Sequence, residues 1–218
     1  MENISKRYAN GFEALHQVDL EISAGEMVLL TGHSGAGKTT LLKLMMMIER
    51  PSSGTLYFEK KNVNKSSKTK IAKILQQIGM VFQNSKLLQN RTVFENIASP
   101  LIISGYRPKE IQKKVRAALE KVGLADKENL FPVALSTGEQ QRVGIARAVI
   151  NKPKLILADE PTGNLDPKLS TEIFNLFKEF NDVGVTVLIA THDLPLIAKM
   201  PYRILTLKQG HLLGKEYA

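Results

Sequence analysis

Two stretches of this chain carry side chains whose types and spacing suit phosphate chemistry. One is GHSGAGKT at Gly32–Thr39. Gly32, Gly35 and Gly37 let a backbone curl until its N–H groups face inward, and a helix starting behind them adds its positive end. Lys38 then reaches terminal phosphates, and the Thr39 hydroxyl suits Mg²⁺. The other stretch is the carboxylate pair Asp159–Glu160, delivered by the apolar run LILA. Ligands bind at the C-terminal ends of strands in α/β sheets, so Asp159 suits the magnesium. Glu160 suits the polarising of an attacking water, a general-base role worth roughly 10²- to 10⁴-fold. Neighbouring strand residues point to opposite faces, so a joint role demands a bend, and Pro161 fits one. On its own, such a pair is more often an ordinary surface pair at a strand end.

Three further places carry weaker signals. His192 follows the apolar strand Val185–Ala190, where it can meet a terminal phosphate or the water. A lone histidine at a strand end is more often structural. Gln83 closes IGMVFQ and can offer its amide to the metal or the water. Ser136, with Glu139 three residues on, forms a capping box. Capping alone accounts for both residues, at about 1 kcal/mol of helix stability. Gly138 beside them is a poor helix former, by about 1 kcal/mol against Ala. Its presence suits close approach of a phosphate to the helix start.

These positions need strands and helices to hold them. Met27–Thr31, Leu155–Ala158 and Val185–Ala190 are near-continuous apolar runs, as strands buried on both faces require. A helix is expected from about Lys38 to Ile48, stopped by Pro51. Short strands are expected at Gly54–Phe58 and Ile78–Phe82. From about Ser85 to Ile150 the pattern turns helical. Pro108 suits a first turn, Ile111, Val115, Ala118, Leu119 and Val122 recur at helical spacing, and Gly123 fits the stop. A further helix runs from about Pro167, with Ile173, Phe177 and Phe180 on one face. Tyr202–Leu213 reads as a hairpin around Gly210. Strands alternating with helices imply an α/β fold with a mostly parallel sheet.

The chain has 218 residues, enough for one α/β domain with a subdomain, and no cysteine, which fits a reducing compartment. No apolar run approaches the roughly 18 residues needed to span a bilayer. Glu2, Lys6 and Arg7 are followed by no apolar segment of a signal peptide, so a cytosolic protein is expected unless a partner holds it to a membrane. Lys plus Arg number 30 against 21 Asp plus Glu, a net +9. The basic run Lys60, Lys61, Lys65, Lys68, Lys70 and Lys73 has no interleaved aromatics, which speaks against single-stranded nucleic acid. It is expected to form a mobile surface loop near lipid headgroups.

Taken together and in this order, the motifs resemble those of the nucleotide-binding subunit of ABC ATPases, over nearly the whole chain. Gly32–Thr39 is similar to Walker A, Gln83 to the Q-loop and Leu135–Gln140 to the signature motif. Leu155–Glu160 is similar to Walker B, Asn164–Asp166 to the D-loop and His192 to the switch histidine. Tyr8, in SKRY, stands where the family has an aromatic that stacks on adenine. The resemblance implies a P-loop NTPase fold of ABC type. Its core sheet is mostly parallel, with an antiparallel β part and an inserted α-helical subdomain. The expected boundaries are a RecA-like core at about 1–84 and 151–218 and a helical part at about 85–150, in a single domain over 1–218.

The resemblance also implies Mg-dependent ATP hydrolysis. Glu160, His192, Lys38 and Gln83 would be catalytic, and Thr39, Gln83 and Asp159 would hold Mg²⁺. ATP would be bound by Tyr8, Gly32, His33, Ser34, Gly35, Ala36, Gly37, Lys38, Thr39, Thr40, Gln83, Asp159 and His192. Ser136, Gly138, Glu139 and Asp166 would contact the nucleotide of a second copy, giving an ATP-bound homodimer. Stretches such as GEQQRVGIARAVINKPKLILADEPTGNLD and LLQNRTVFENIASPLIISG are similar to the cell-division branch of the family. That branch implies a permease-like membrane partner, FtsX, whose extracytoplasmic part controls peptidoglycan hydrolases, with other division proteins nearby and no nucleic acid. The contact is expected near Gln83–Ser104. The chain would lie peripherally on the cytoplasmic face of the bacterial inner membrane at the division site. The alternative is the ATPase of a related lipoprotein, peptide or drug exporter. Thr137 stands where the family usually has Gly, which is expected to add bulk beside the second copy's phosphate. The strand before SKRY looks clipped, which is expected to loosen Tyr8.

Overall fold

Period-2 alternation in the buried strands divides their side chains between two cores. The computed structural model describes residues 1–193, 197 and 201–217, the last four as backbone only. Strands β1 (Glu2–Arg7), β2 (Glu13–Val18) and β4 (Ser53–Thr55) make an antiparallel sheet in the order β2-β1-β4. β3 (Met27–Thr31), β7 (Ile78–Phe82), β8 (Leu155–Asp159), β9 (Thr186–Ala190), β10 (Arg203–Lys208) and β11 (His211–Tyr217) make the main sheet, ordered β11-β10-β3-β9-β8-β7. It is parallel throughout except for β11. Leu29, Ile156, Val187 and Ile189 point to one face, and Val28, Leu30, Leu157 and Leu188 to the other.

The first face is covered by α3 (Val93–Ile103), α4 (Pro108–Lys121), α5 (Thr137–Val149) and α6 (Pro167–Asp182). Buried Leu101, Leu119, Ile145 and Phe177 fill the space beneath them. The helical block therefore shares one hydrophobic core with that side of the sheet. The second face is covered by α1 (Lys38–Met45), α2 (Lys68–Leu75) and the antiparallel sheet, through Leu41, Leu42, Ile74, Ile4 and Leu15.

Local chemistry sets most boundaries as expected. Pro108 occupies the first turn of α4, and Gly123 follows its end at φ 71°, the left-handed geometry glycine permits. Thr92 and Glu95 cap α3 reciprocally. Three expectations are corrected. Helix α1 stops at Met45, before Pro51, because Met47 turns left-handed at φ 54° and the last carbonyls are taken by local N–H groups. The lysine-rich run forms the hairpin β5 (Tyr57–Phe58) and β6 (Lys61–Asn62) followed by α2, where a loop was expected; buried Val63 and Ile74 anchor it. The amino-terminal segment forms β1, paired on both sides, so Tyr8 leaves a fixed strand.

Helix α5 lies close on β7 at Gly79. A Cβ there would stand 2.4 Å from the Ala148 carbonyl oxygen and 3.2 Å from Pro153 Cγ. Gly79→Ala is expected to push the helix off the strand and destabilise the fold by about 1–3 kcal/mol, read as a lower urea midpoint.

Candidate functional site

Parallel register lines up one row of residues across the sheet. Leu30 pairs with Ala190, Ala190 with Asp159, and Asp159 with Phe82. The residues just beyond this row are Gly32–Thr39, His192, Glu160 and Gln83, so four strand ends deliver them to one edge.

The glycine-rich loop is curled as its sequence requires. Gly32, Gly35 and Gly37 all have positive φ, at 152°, 77° and 109°. Gly32 and Gly37 also face backbone. A Cβ at Gly32 would stand 2.3 Å from the Leu207 carbonyl oxygen, and one at Gly37 2.6 Å from that of Ala14. His33, Ser34 and Gly35 form the exposed crown, while Ala36 is buried and its carbonyl accepts from the Gly210 N–H. Lys38, 8% exposed, donates to the Gly32 carbonyl at 2.7 Å and lies 3.4 Å from Glu160 Oε1. Thr40 exchanges a 3.2 Å hydrogen bond with the Tyr8 hydroxyl, and Lys6 Nζ sits 5.1 Å from the Tyr8 ring centre. Tyr8 is thus held, contrary to the expected loosening.

Asp159 and Glu160 do share the site, because the chain bends between them. Glu160 is left-handed at φ 48°, its N–H donates to the Ala190 carbonyl, and its carboxylate turns to His192. His192 Nδ1 lies 2.7 Å from Glu160 Oε2, and the His192 N–H donates to the same oxygen at 3.2 Å. A non-glycine residue in this region costs on the order of 1 kcal/mol or more, strain of a kind that gathers at functional sites. Asp159 Oδ2 accepts from the Thr39 hydroxyl at 3.0 Å, whereas buried Oδ1 has no partner. Burial is the largest cause raising the Asp159 pKa; the Thr39 hydrogen bond opposes it, and the Glu160 charge adds to it. An unpaired, desolvated carboxylate oxygen beside a threonine hydroxyl suits a hard divalent cation such as Mg²⁺.

Gln83 reaches this edge differently. Among the described residues no hydrogen bond joins its amide to Thr39, Asp159 or Glu160. It lies over Gly163, where a Cβ would meet Nε2 at 2.9 Å. Behind it the chain is fastened to α5 by residues that the motif reading missed. Gln141 donates to the Phe82 carbonyl, and Arg147 to those of Ser85 and Lys86. Asn164 donates to Asn84. Only the polar residues of GEQQRVGIAR hinted at the first two.

The second group of predicted residues gathers at the starts of two helices. Ser136 caps α5, and its hydroxyl donates to Glu139, which Lys127 also grips as an ion pair. Ser136 and Thr137 are exposed, and Thr137 borders a cleft of about 380 Å³ with Gln83, Ser85 and Gln140. Gly138 also packs inside the chain: a Cβ there would stand 3.2 Å from Leu169 Cδ1 of α6, so glycine eases the contact between the two helices. Asp166 caps α6 by accepting from the N–H groups of Lys168 and Leu169. Among the described residues no hydrogen bond or ion pair joins Ser136–Glu139 or Asp166 to Gly32–Thr40.

A profile of the ABC transporter family matches residues 15–163. The chain belongs to that family. It is 56% identical over 98% of its length to the cell division ATP-binding protein FtsE of Escherichia coli K12, covering 96% of that protein. To FtsE of Mycobacterium tuberculosis it is 43% identical, over 99% of this chain and 94% of that one. The ATP-binding cassette MJ0796, solved as a dimer bound to ADP and Pi, superimposes with a TM-score of 0.91 at 36% identity, covering 99% of this chain and 97% of that one.

Two measurements bear on the site. Asp159→Asn is expected to leave the urea midpoint of the nucleotide-free protein unchanged or higher, because it removes a desolvated charge, while Mg-dependent turnover is lost. Lys127 and the Ser136 groups hold the Glu139 carboxyl down to about 2. Its contribution to stability is therefore complete above the ordinary carboxylate range and is lost as pH falls from there toward about 2. Urea midpoints across that window are expected to fall less steeply in Glu139→Gln.

Proposed function

We propose that this ABC ATPase hydrolyses ATP between two copies of itself and drives a permease-like membrane partner of the cell-division type. One observation carries the dimer: among the described residues no hydrogen bond or ion pair joins the phosphate loop and its carboxylates to the exposed start of α5. A second copy, turned about a two-fold axis, supplies each with the half it lacks. The dimeric MJ0796 cassette supports this reading.

The backbone N–H groups of Gly32–Thr40 and the start of α1 bind the phosphates. Lys38 exchanges its contact with the Gly32 carbonyl for phosphate oxygens. Tyr8 offers its ring to the base. Thr39, Asp159 and Gln83 hold Mg²⁺, which when bound neutralises charge on the phosphate oxygens. Glu160 accepts the proton of the attacking water, its rotamer fixed between Lys38 and His192. His192 steadies that carboxylate and the terminal phosphate. From the second copy, Ser136, Gly138, Glu139 and Asp166 face the same nucleotide.

Among the described residues no helix is long and apolar enough to cross a membrane. The link to the membrane is thus assigned to a partner resembling FtsX, on the cytoplasmic face of the bacterial inner membrane at the division site, acting on peptidoglycan hydrolases. The FtsE relatives, matched over nearly their whole length, support this.

Glu160→Gln is expected to dimerise on adding Mg-ATP in size-exclusion chromatography, and Lys38→Ala to lose at least about 10²-fold in turnover. A Glu160→Gln chain that binds ATP yet stays monomeric, and dimerises once Thr137 becomes Gly, would show that Thr137 blocks closure. Affinity capture from detergent-solubilised host membranes is expected to bring down a permease with an extracytoplasmic domain that binds wall hydrolases. Recovery of a lipoprotein or drug permease would overturn the division role and leave the ATPase intact.

A further inference from the structure

The geometry points to a docking surface for an anionic lipid bilayer on the outer face of the β5–β6 hairpin and α2. Between Glu59 and Glu95 the chain has no acidic residue, and Lys60, Lys61, Lys65, Lys68, Lys70 and Lys73 fall in the first part of that interval. All six are exposed, and no carboxylate of the described residues forms an ion pair with any of them. Glu59 at the hairpin tip is paired with Lys154, and Glu2 accepts from the Tyr57 hydroxyl, so the nearest acids are engaged elsewhere.

The fold turns this sequence into a surface. Glu59 and Lys60, at φ 50° and 61°, make the left-handed two-residue turn that projects the hairpin tip. Ser67 caps α2 by accepting from Lys70 N–H. Phe58, Val63 and Ile74 all pack into the core beneath, so hairpin and helix share an inner side and send their lysines outward. Tyr57 and Leu75, each more than a third exposed, supply shallow apolar contacts.

The side-chain chemistry favours a bilayer. Every cation here is a lysine, a compact point charge without the planar fork that arginine offers to individual phosphates. Clusters of four to eight basic residues on an amphipathic helix suit anionic leaflets, where each lysine strengthens partition about fivefold. This rests on the peripheral-membrane reading above only for the presence of such a leaflet. It also separates from the chemistry: α2 enters β7 at Ile78, and five strand residues put it roughly 15 Å from Gln83.

The test is flotation of the purified full chain with vesicles of phosphatidylglycerol and phosphatidylcholine, against phosphatidylcholine alone, with turnover measured in the same samples. The chain is expected to float with the anionic vesicles only, to leave them as salt rises, and to lose at least tenfold in partition on Lys68→Gln, Lys70→Gln and Lys73→Gln together. Turnover in solution should stay unchanged in that variant. Failure to bind phosphatidylglycerol vesicles, or equal binding after the substitutions, would overturn the proposal. So would a DNA or RNA oligonucleotide that displaces the vesicles at equal phosphate. A wild-type chain without turnover would sink the ATPase reading and leave the flotation result standing by itself.

Discussion

Everything at the site depends on one register. Four parallel strands bring Leu30, Ala190, Asp159 and Phe82 into a single row, and the chain does its chemistry in the first residues after that row. Because side chains alternate along a strand, a slip of one residue in β8 would exchange Ile156 and Ala158 for Leu155 and Leu157 on their faces and turn Asp159 into the wrong core. The two hydrophobic clusters forbid the slip, since each accepts only its own set. Bulk packing thereby fixes the position of a carboxylate that contributes nothing favourable by its own burial.

The left-handed turn at Glu160 follows from the same row. Extended backbone would aim Glu160 away from Asp159; the bend brings both carboxylates to the loop, and the hydrogen bond from Glu160 N–H to Ala190 holds it. On the other flank, Gln141 and Arg147 fasten α5 to carbonyls at the end of β7 and just after it. Burial lowers the Arg147 pKa, and its carbonyl partners replace lost water. The segment carrying Gln83 and α5 are therefore tied directly by hydrogen bonds on both sides of Gln83.

Much of this was legible in the sequence. The strands β8 and β9 are near-continuous apolar runs, and the helices α4 and α6 are long, strongly periodic and begin at a proline. The phosphate loop is legible because only glycine tolerates its dihedrals and close contacts, and Pro161 already pointed to the bend at Glu160. What stayed hidden is tertiary. Gly138 packs against Leu169 on another helix, Lys127 meets Glu139 twelve residues on, and Met47 ends α1 without any residue-type signal. The lysine run read as a loop because its few apolar anchors, Phe58, Val63 and Ile74, are too sparse to show a period.

The bracing of the phosphate loop comes from segments far apart in sequence. Ala14 of β2 crowds Gly37, Leu207 of β10 crowds Gly32, and Gly210 donates to Ala36. A polypeptide is made from one end, and its domains fold as they emerge. The loop is synthesised early, yet one of its braces is supplied by Gly210, more than 170 residues further on. A chain in which β10 has not yet paired with β3 thus lacks the finished nucleotide pocket, because the braces at Gly32 and Ala36 come from Leu207 and Gly210.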